Sequence, residues 1–265
     1  DIPADANVRF GQLENGMRYA ILRNATPAGQ ASLRLHIAAG SLMENEEQLG
    51  LAHFTEHMLF NGTEEVPENE LLRTLERLGL SFGADTNAMT AFDQTVYMLE
   101  LPRTDDETVD TSLHIMRQQA SAALMTAEAI DAERGVIVGE QRTRDTPGLR
   151  SLIAQLKLLA PGQRLPDRLP IGDLEVIRTA PRERFVDFYT SYYRPERATF
   201  VAVGDFDVDA MEAKIRGAFD SWRGVGAAGP DPDLGQVAPR QTETKILLEP
   251  GIQSSIQLNW VRNPD

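Results

Sequence analysis

The chain has 265 residues, 42% of them apolar, which is enough for one large domain and part of a second. Asp and Glu outnumber Lys and Arg by 40 to 26, and the net charge of −14 argues against a broad basic surface for nucleic acid or an anionic membrane. The chain contains no Cys, which excludes disulfides, zinc–thiolate sites, iron–sulfur clusters and a thiol nucleophile.

Strand and turn signals come first along the chain, and helices follow. Asn15-Gly16 is a strong turn signal, Asn61-Gly62 ends a helical pattern, and Pro102 ends a strand-like run. In order, we predict strands over 8–13, 17–22 and 32–37, helices over 50–60 and from Pro67 or Glu68 to Leu78, and a strand over 95–101.

The second half alternates helices with one strand and then becomes rich in Gly and Pro. Pro147-Gly148 is expected to end a long helix, and residues 159–172 are expected to form a surface loop. In order, we predict helices over 105–124, 127–144 and 181–192, a strand over 198–203, a helix over 209–222, and strands over 245–248 and 255–260.

These elements predict an α+β fold of two layers, in which helices pack on one face of a mostly antiparallel sheet. Residues 1–223 are expected to form the main domain, and 224–241 a Gly- and Pro-rich linker. Residues 242–265 are expected to begin a second domain that is cut short.

Two of the four His residues are four positions apart on the first predicted helix. His53 and His57 therefore point the same way, and neutral imidazoles at this spacing bind zinc. Glu56 lies on nearly the same face and can take a proton from a metal-bound water. The string His-Phe-Thr-Glu-His is the inverted zinc-protease motif H-x-x-E-H. From these residues alone, the alternative is a helix in which the two His are solvated or part of the core and the Glu is on the surface.

Zinc needs a third protein ligand, and the predicted helix 127–144 offers Glu128, Glu133 and Glu140. Glu133 and Glu140 are two helical turns apart and share a face. Solvent exposure is the usual state of Glu, and spacing alone does not decide between exposure and metal binding.

The chain resembles the M16 metallopeptidases, which include pitrilysin, insulin-degrading enzyme and mitochondrial processing peptidase. Residues 50–63, which contain the zinc motif, are close to the family pattern at almost every position. Residues 133–140 match the family helix that carries the distal ligand, while 13–18, 87–97 and 192–207 contain further landmarks. The resemblance runs through nearly the whole chain and is strongest to bacterial, periplasmic members.

The resemblance implies an M16 or LuxS-like metallohydrolase fold and one Zn²⁺ per chain, bound by His53, His57 and Glu140. Glu56 would be the general base of a zinc-dependent endopeptidase, and Glu133 a catalytic residue that supports the site. Extended peptides would add to a sheet edge around Ala84, Asn87, Ala88 and Met89. Without the resemblance, an ordinary irregular strand or loop is the favoured interpretation of those four residues.

Family members close two halves around the peptide, so the resemblance implies a second M16-like half or a homologous subunit as partner. We expect the metal site to be complete and this chain alone to cleave peptides weakly or not at all. Two alternatives remain: a non-catalytic binding or scaffold subunit, and a zinc-binding structural or sensing module.

The start of the chain bears on its location. No apolar run reaches the roughly 18 residues of a membrane-spanning helix, so we expect no membrane span. The negative net charge leads us to expect no nucleic acid partner. The chain begins at Asp1 rather than Met, which fits a removed leader or a boundary. This start and the resemblance to periplasmic members together predict a periplasmic or secreted location, with a cytoplasmic one as the alternative.

Overall fold

The computed structural model describes residues 3–67, 70–237, 241–248, 250–251 and 253–260. The strands are β1 (Val8–Gln12), β2 (Arg18–Arg23), β3 (Ala31–Ile37), β4 (Thr86–Thr90), β5 (Thr95–Leu101) and β6 (Ala198–Gly204). The helices are α1 (Leu51–Met58), α2 (Glu70–Arg77), α3 (Asp106–Ser121), α4 (Ala127–Arg144), α5 (Pro147–Leu159), α6 (Leu174–Thr179), α7 (Arg182–Tyr192) and α8 (Val208–Phe219). Short 3-10 turns cover Ser41–Met43, Leu165–Asp167 and Pro195–Arg197.

The strands form one sheet in the order β1-β2-β6-β3-β5-β4. Neighbouring strands are antiparallel except β2 and β6, which are parallel. The β1–β2 hairpin turns at Asn15-Gly16, where Gly16 has a φ of 96°, a conformation that favours Gly. Strand β4 lies at one edge of the sheet, with a neighbour on one side only, and this position matters for the site.

Side chains alternate strictly between the two faces of the central strands. In β3, Leu33 and Leu35 are buried, whereas Arg34 between them is partly exposed. Helices cover the buried face: the ring of Phe200 on β6 lies 5.2 Å from that of Phe219 on α8. The prediction of a mostly antiparallel sheet with helices on one face is confirmed.

Helix α1 packs against β4 and α4, and both helices are anchored by side-chain contacts with other elements. Phe54 of α1 makes an edge-to-face contact with Phe185 of α7 at 4.8 Å. Arg134 of α4 donates hydrogen bonds to the carbonyl oxygens of Ile177 and Ala180, at 2.6 and 2.7 Å. These contacts hold the two helices that carry the predicted site residues.

The prediction that Pro147-Gly148 ends a helix was wrong, because Pro147 begins α5. Helix α4 already ends at Arg144, and the Thr146 hydroxyl caps the next helix by accepting the N–H of Leu149. Pro fits the first helical position, where its missing N–H costs no hydrogen bond. Helix α6 was also not predicted, and a 3-10 turn interrupts the predicted loop over 159–172.

The predicted strands over 245–248 and 255–260 are not formed in the described residues. Their apolar side chains are exposed, with Ile256 at 95% and Leu248 at 88%. A strand needs a paired neighbour and a packed face, and the described residues offer this segment neither. Glu68, one of the two predicted starts of the second helix, lies outside the described residues. None of the helices described is both long and apolar enough to cross a bilayer.

Candidate active site

Helix α1 carries three of the predicted site residues, and seven of its eight residues are buried. Its N-terminus is capped by Glu44, whose two carboxylate oxygens accept the N–H groups of Gly50 and Ala52 at 2.9 and 2.7 Å. Burial raises the pKa of Glu44 to about 8, and the two hydrogen bonds oppose that rise only in part. The cap satisfies N–H groups that have no partner within the helix, and so fixes the start of α1.

Three predicted metal ligands from two helices, α1 and α4, lie close together. The Nε2 atoms of His53 and His57 each lie 3.5 Å from Oε2 of Glu140 on α4. The two imidazole rings are nearly perpendicular, with centres 4.8 Å apart. One donor atom from each of the three residues therefore faces a common point.

This arrangement fits a zinc ion. Bonds of about 2.0–2.1 Å in a tetrahedral site separate the ligand atoms by about 3.3 Å. The two distances from His nitrogen to Glu140 oxygen are 3.5 Å, and all three ligand atoms lie within 4.8 Å of one another. Burial lowers the pKa of His53 to about 3, helped by the charges of His57 and Arg144, so its imidazole is neutral as a metal ligand must be. Two imidazoles and one carboxylate form the His₂Glu donor set of catalytic zinc sites.

Glu133 contacts Nδ1 of His57, whereas Glu140 faces the other ring nitrogen, Nε2. The Nδ1 atom of His57 donates to Oε1 of Glu133 at 2.9 Å, and the Asn61 side chain donates to Oε2 at 3.2 Å. The hydrogen bond from His57 lowers the pKa of Glu133, against the effect of burial. Burial alone would lower the pKa of His57, but the Glu133 hydrogen bond and the charges of Glu56, Glu133 and Glu140 outweigh it and raise that pKa.

Glu56 lies on the same helix and is 8% exposed. The hydroxyl of Thr90, the last residue of β4, donates to Oε2 of Glu56 at 2.5 Å. Burial raises the pKa of Glu56, while the Thr90 hydrogen bond and the charge of His57 oppose the rise. A carboxylate with a raised pKa accepts a proton more readily than an exposed one, as a general base requires.

Arg144 engages the remaining oxygen of the third ligand. It forms an ion pair with Oε1 of Glu140, one helical turn earlier on α4. Because Arg144 takes Oε1, the other oxygen of Glu140 is the one turned toward the two imidazoles.

The four predicted substrate residues occupy three kinds of position. Ala84 is exposed in the turn before β4, outside the strand. Asn87 and Met89 are exposed on β4, and Ala88 between them is partly buried against the core. Three of the four therefore lie on the edge strand, whose far end reaches Glu56 through Thr90.

Sequence reasoning missed Thr90, Asn61, Glu44 and Arg144 as parts of the site. Arg144 follows Glu140 by four residues, a spacing that signals an ion pair on a helix. The contacts of Thr90, Asn61 and Glu44 depend on how the chain folds, and no local sequence pattern predicts them.

Two regions of the chain match known peptidase families. Residues 19–157 match the family described as Insulinase (Peptidase family M16), and residues 179–264 match the Peptidase M16 inactive domain. The chain is 40% identical to the Probable zinc protease PqqL of Escherichia coli (strain K12) over 215 residues, which are 81% of this chain and 23% of that protein.

Comparison with solved structures also finds similarity to the PqqL protease. The first half of the periplasmic protease PqqL from Escherichia coli superposes with a TM-score of 0.82 at 38% identity, covering 87% of this chain and 50% of that one. The structure of the periplasmic protease PqqL also gives 0.82, at 37% identity, with 91% of this chain and 26% of that chain covered. The chain thus spans about a quarter of the length of its curated relative from Escherichia coli.

Proposed function

Because the chain belongs to peptidase family M16, we propose that it provides the metal centre and general base of a zinc-dependent endopeptidase. The observation that carries this proposal is the convergence of His53, His57 and Glu140, with the carboxylate of Glu56 beside them on the same helix. A purely structural zinc site has four protein ligands and no need of an adjacent base. The described residues bring three ligands together, and Glu56 has a separate partner in Thr90.

Each residue has a distinct role in the proposed reaction. Zinc, when bound, lowers the pKa of a water toward neutrality and polarises the scissile carbonyl. His53, His57 and Glu140 hold the ion, and Glu133 orients His57 through Nδ1. Glu56 takes the proton from the attacking water and delivers it to the nitrogen of the leaving amine.

The edge strand β4 is the proposed substrate site. An extended peptide would add to the unpaired side of β4 by main-chain hydrogen bonds, which give affinity without a strict side-chain requirement. Asn87 and Met89 present exposed side chains on this strand, whereas Ala88 between them is partly buried. The substrate class is therefore a peptide or small protein with an extended segment.

Turnover is proposed to require a second M16-like half, carried on the same protein or on a partner subunit. Within this chain, residues 1–223 are the proposed catalytic-type domain, 224–241 a linker and 242–265 the beginning of a second M16-like domain. The exposed apolar residues of 245–260 support this division, because they suit strands that pair with further sequence. A periplasmic location is proposed from the description of the PqqL relative as a periplasmic protease.

The test compares wild type with Glu56→Gln in the protein as its gene encodes it, with any further residues present. We expect both proteins to retain one zinc, and only wild type to hydrolyse an unstructured peptide. Hydrolysis by Glu56→Gln at the wild-type rate would refute the role of Glu56 as base. Zinc binding without hydrolysis in wild type would favour a non-catalytic binding or scaffold subunit.

A further inference from the structure

The last residue of the edge strand holds the proposed general base in place. Along β4, Thr86, Ala88 and Thr90 face the helix layer, while Asn87 and Met89 are exposed between them. Thr90 is thus directed at α1, and its hydroxyl reaches Oε2 of Glu56 at 2.5 Å. The contact joins residues 34 positions apart in sequence, so it depends on the docking of α1 against β4.

The two oxygens of the Glu56 carboxylate differ as a result. Oε2 is occupied by Thr90, whereas Oε1 receives no hydrogen bond from the described residues. A carboxylate tied at one oxygen keeps a fixed plane and presents the other oxygen in a fixed direction. Proton transfer needs such control, because a base must lie within hydrogen-bond reach of the proton it removes.

From this geometry we infer that Thr90 is a positioning residue for the proposed hydrolysis, which orients Glu56 as a base and keeps it from swinging onto the metal. The inference rests on the proposed function and deepens it by naming a residue that acts through Glu56. Because Thr90 belongs to the strand proposed to pair with substrate, the peptide-binding edge and the base are held by the same element.

The decisive variants are Thr90→Val, which removes the hydroxyl at nearly constant volume, and Thr90→Ser, which keeps it. Ser112→Ala is the control: Ser112 lies on α3, outside the proposed site, is buried, and its hydroxyl has no hydrogen-bond partner in the described residues. We expect Thr90→Val to lower kcat about 10- to 100-fold, the usual effect of losing a group that orients a site residue. KM and zinc content should stay near wild type, Thr90→Ser should restore most of kcat, and Ser112→Ala should resemble wild type.

A wild-type kcat in Thr90→Val, an equal loss in Ser112→Ala, or no rescue by Ser would each overturn the inference. A second readout does not depend on turnover: the visible absorption of the cobalt(II)-substituted protein, which reports the number and geometry of metal ligands. Release of Glu56 in Thr90→Val should change that spectrum, and the added substitution Glu56→Gln should restore it.

The two readouts separate the inference from the proposed function. If wild type binds metal but does not hydrolyse peptides, the proposed function fails, and the cobalt spectrum alone decides the role of Thr90. An unchanged cobalt spectrum in Thr90→Val would then refute the orienting role, whereas a change that Glu56→Gln cancels would support it.

Discussion

Nδ1 of His57 lies 2.9 Å from Oε1 of Glu133, and this contact decides which nitrogen of His57 faces Glu140. A carboxylate only accepts hydrogen bonds, so Nδ1 carries the proton, and the neutral imidazole that binds a metal has its lone pair on Nε2. Nε2 faces Oε2 of Glu140, 3.5 Å away. Glu133 and Glu140 thus act on opposite edges of one imidazole ring, although both lie on the same face of α4.

Substitution of Glu133 by Gln should weaken zinc binding without removing it. The Gln oxygen can still accept from Nδ1 of His57, but the negative charge that makes His57 a better ligand is lost. Loss of such a partner typically reduces metal affinity about 10- to 100-fold. The zinc dissociation constant, measured by competition with a chelator, checks this expectation.

Glu128→Gln provides the control for that measurement, because Glu128 is an exposed carboxylate in the first turn of the same helix. It should leave zinc affinity within about twofold of wild type, as surface substitutions away from a site usually have small effects. Equal losses in both variants would show that net charge, rather than the contact with His57, governs affinity.

Because of Glu44, the stability of the folded protein should depend on pH even above the pH range in which carboxyl groups ordinarily titrate. Its pKa is raised from 4.5 to about 8 in the folded protein, so the folded state holds a proton that the unfolded state has released between these values. Stability therefore falls as pH rises from about 4.5 to about 8, and levels off above. Glu44→Gln removes the titrating group and should flatten this part of the profile.

The measurement is the thermal midpoint of metal-free wild type and Glu44→Gln across this pH interval. The difference between the two proteins isolates Glu44 from other titrating groups. A profile in Glu44→Gln as steep as that of wild type would contradict the assignment.

Gly172 lies so close to Gly50 that replacing Gly172 with a residue that has a side chain should destabilise the protein. Gly172 has a φ of 71°, and a Cβ added there would overlap the Cα and N atoms of Gly50, the residue just before α1. Gly172→Ala should destabilise the protein by about 2–5 kcal/mol, through backbone strain and overpacking. Gly217→Ala, in open space on α8, should instead stabilise by about 0.5–1 kcal/mol. Urea unfolding of both variants checks these signs, and a neutral Gly172→Ala would refute the close contact.

Local signals predicted much of the fold. The turn at Asn15-Gly16 and the alternation in β3 depend on neighbouring residues, and α4 has the bounds predicted for it. Prediction failed where one signal has two meanings, since Pro147 can end a helix or occupy its first turn. It also failed over 245–248 and 255–260, where the local sequence indicates strands but pairing depends on residues elsewhere.

In the candidate site, too, spacing along one helix was predictable from sequence, whereas contacts between elements were not. Helical spacing puts His53 and His57 on one face, and it puts Glu133 and Glu140 on another. Spacing does not tell which Glu meets Nε2 and which meets Nδ1, because that depends on how α1 and α4 dock. The Thr90 contact with Glu56 was beyond sequence reasoning for the same reason.

The most direct test of the metal centre is the zinc content of wild type and Glu140→Gln after dialysis without chelator. We predict one equivalent of zinc in wild type and much less in the variant, because Glu140 supplies the only carboxylate oxygen that faces both imidazoles in the described residues. Full retention of zinc by Glu140→Gln, or no zinc in wild type, would contradict the His₂Glu site.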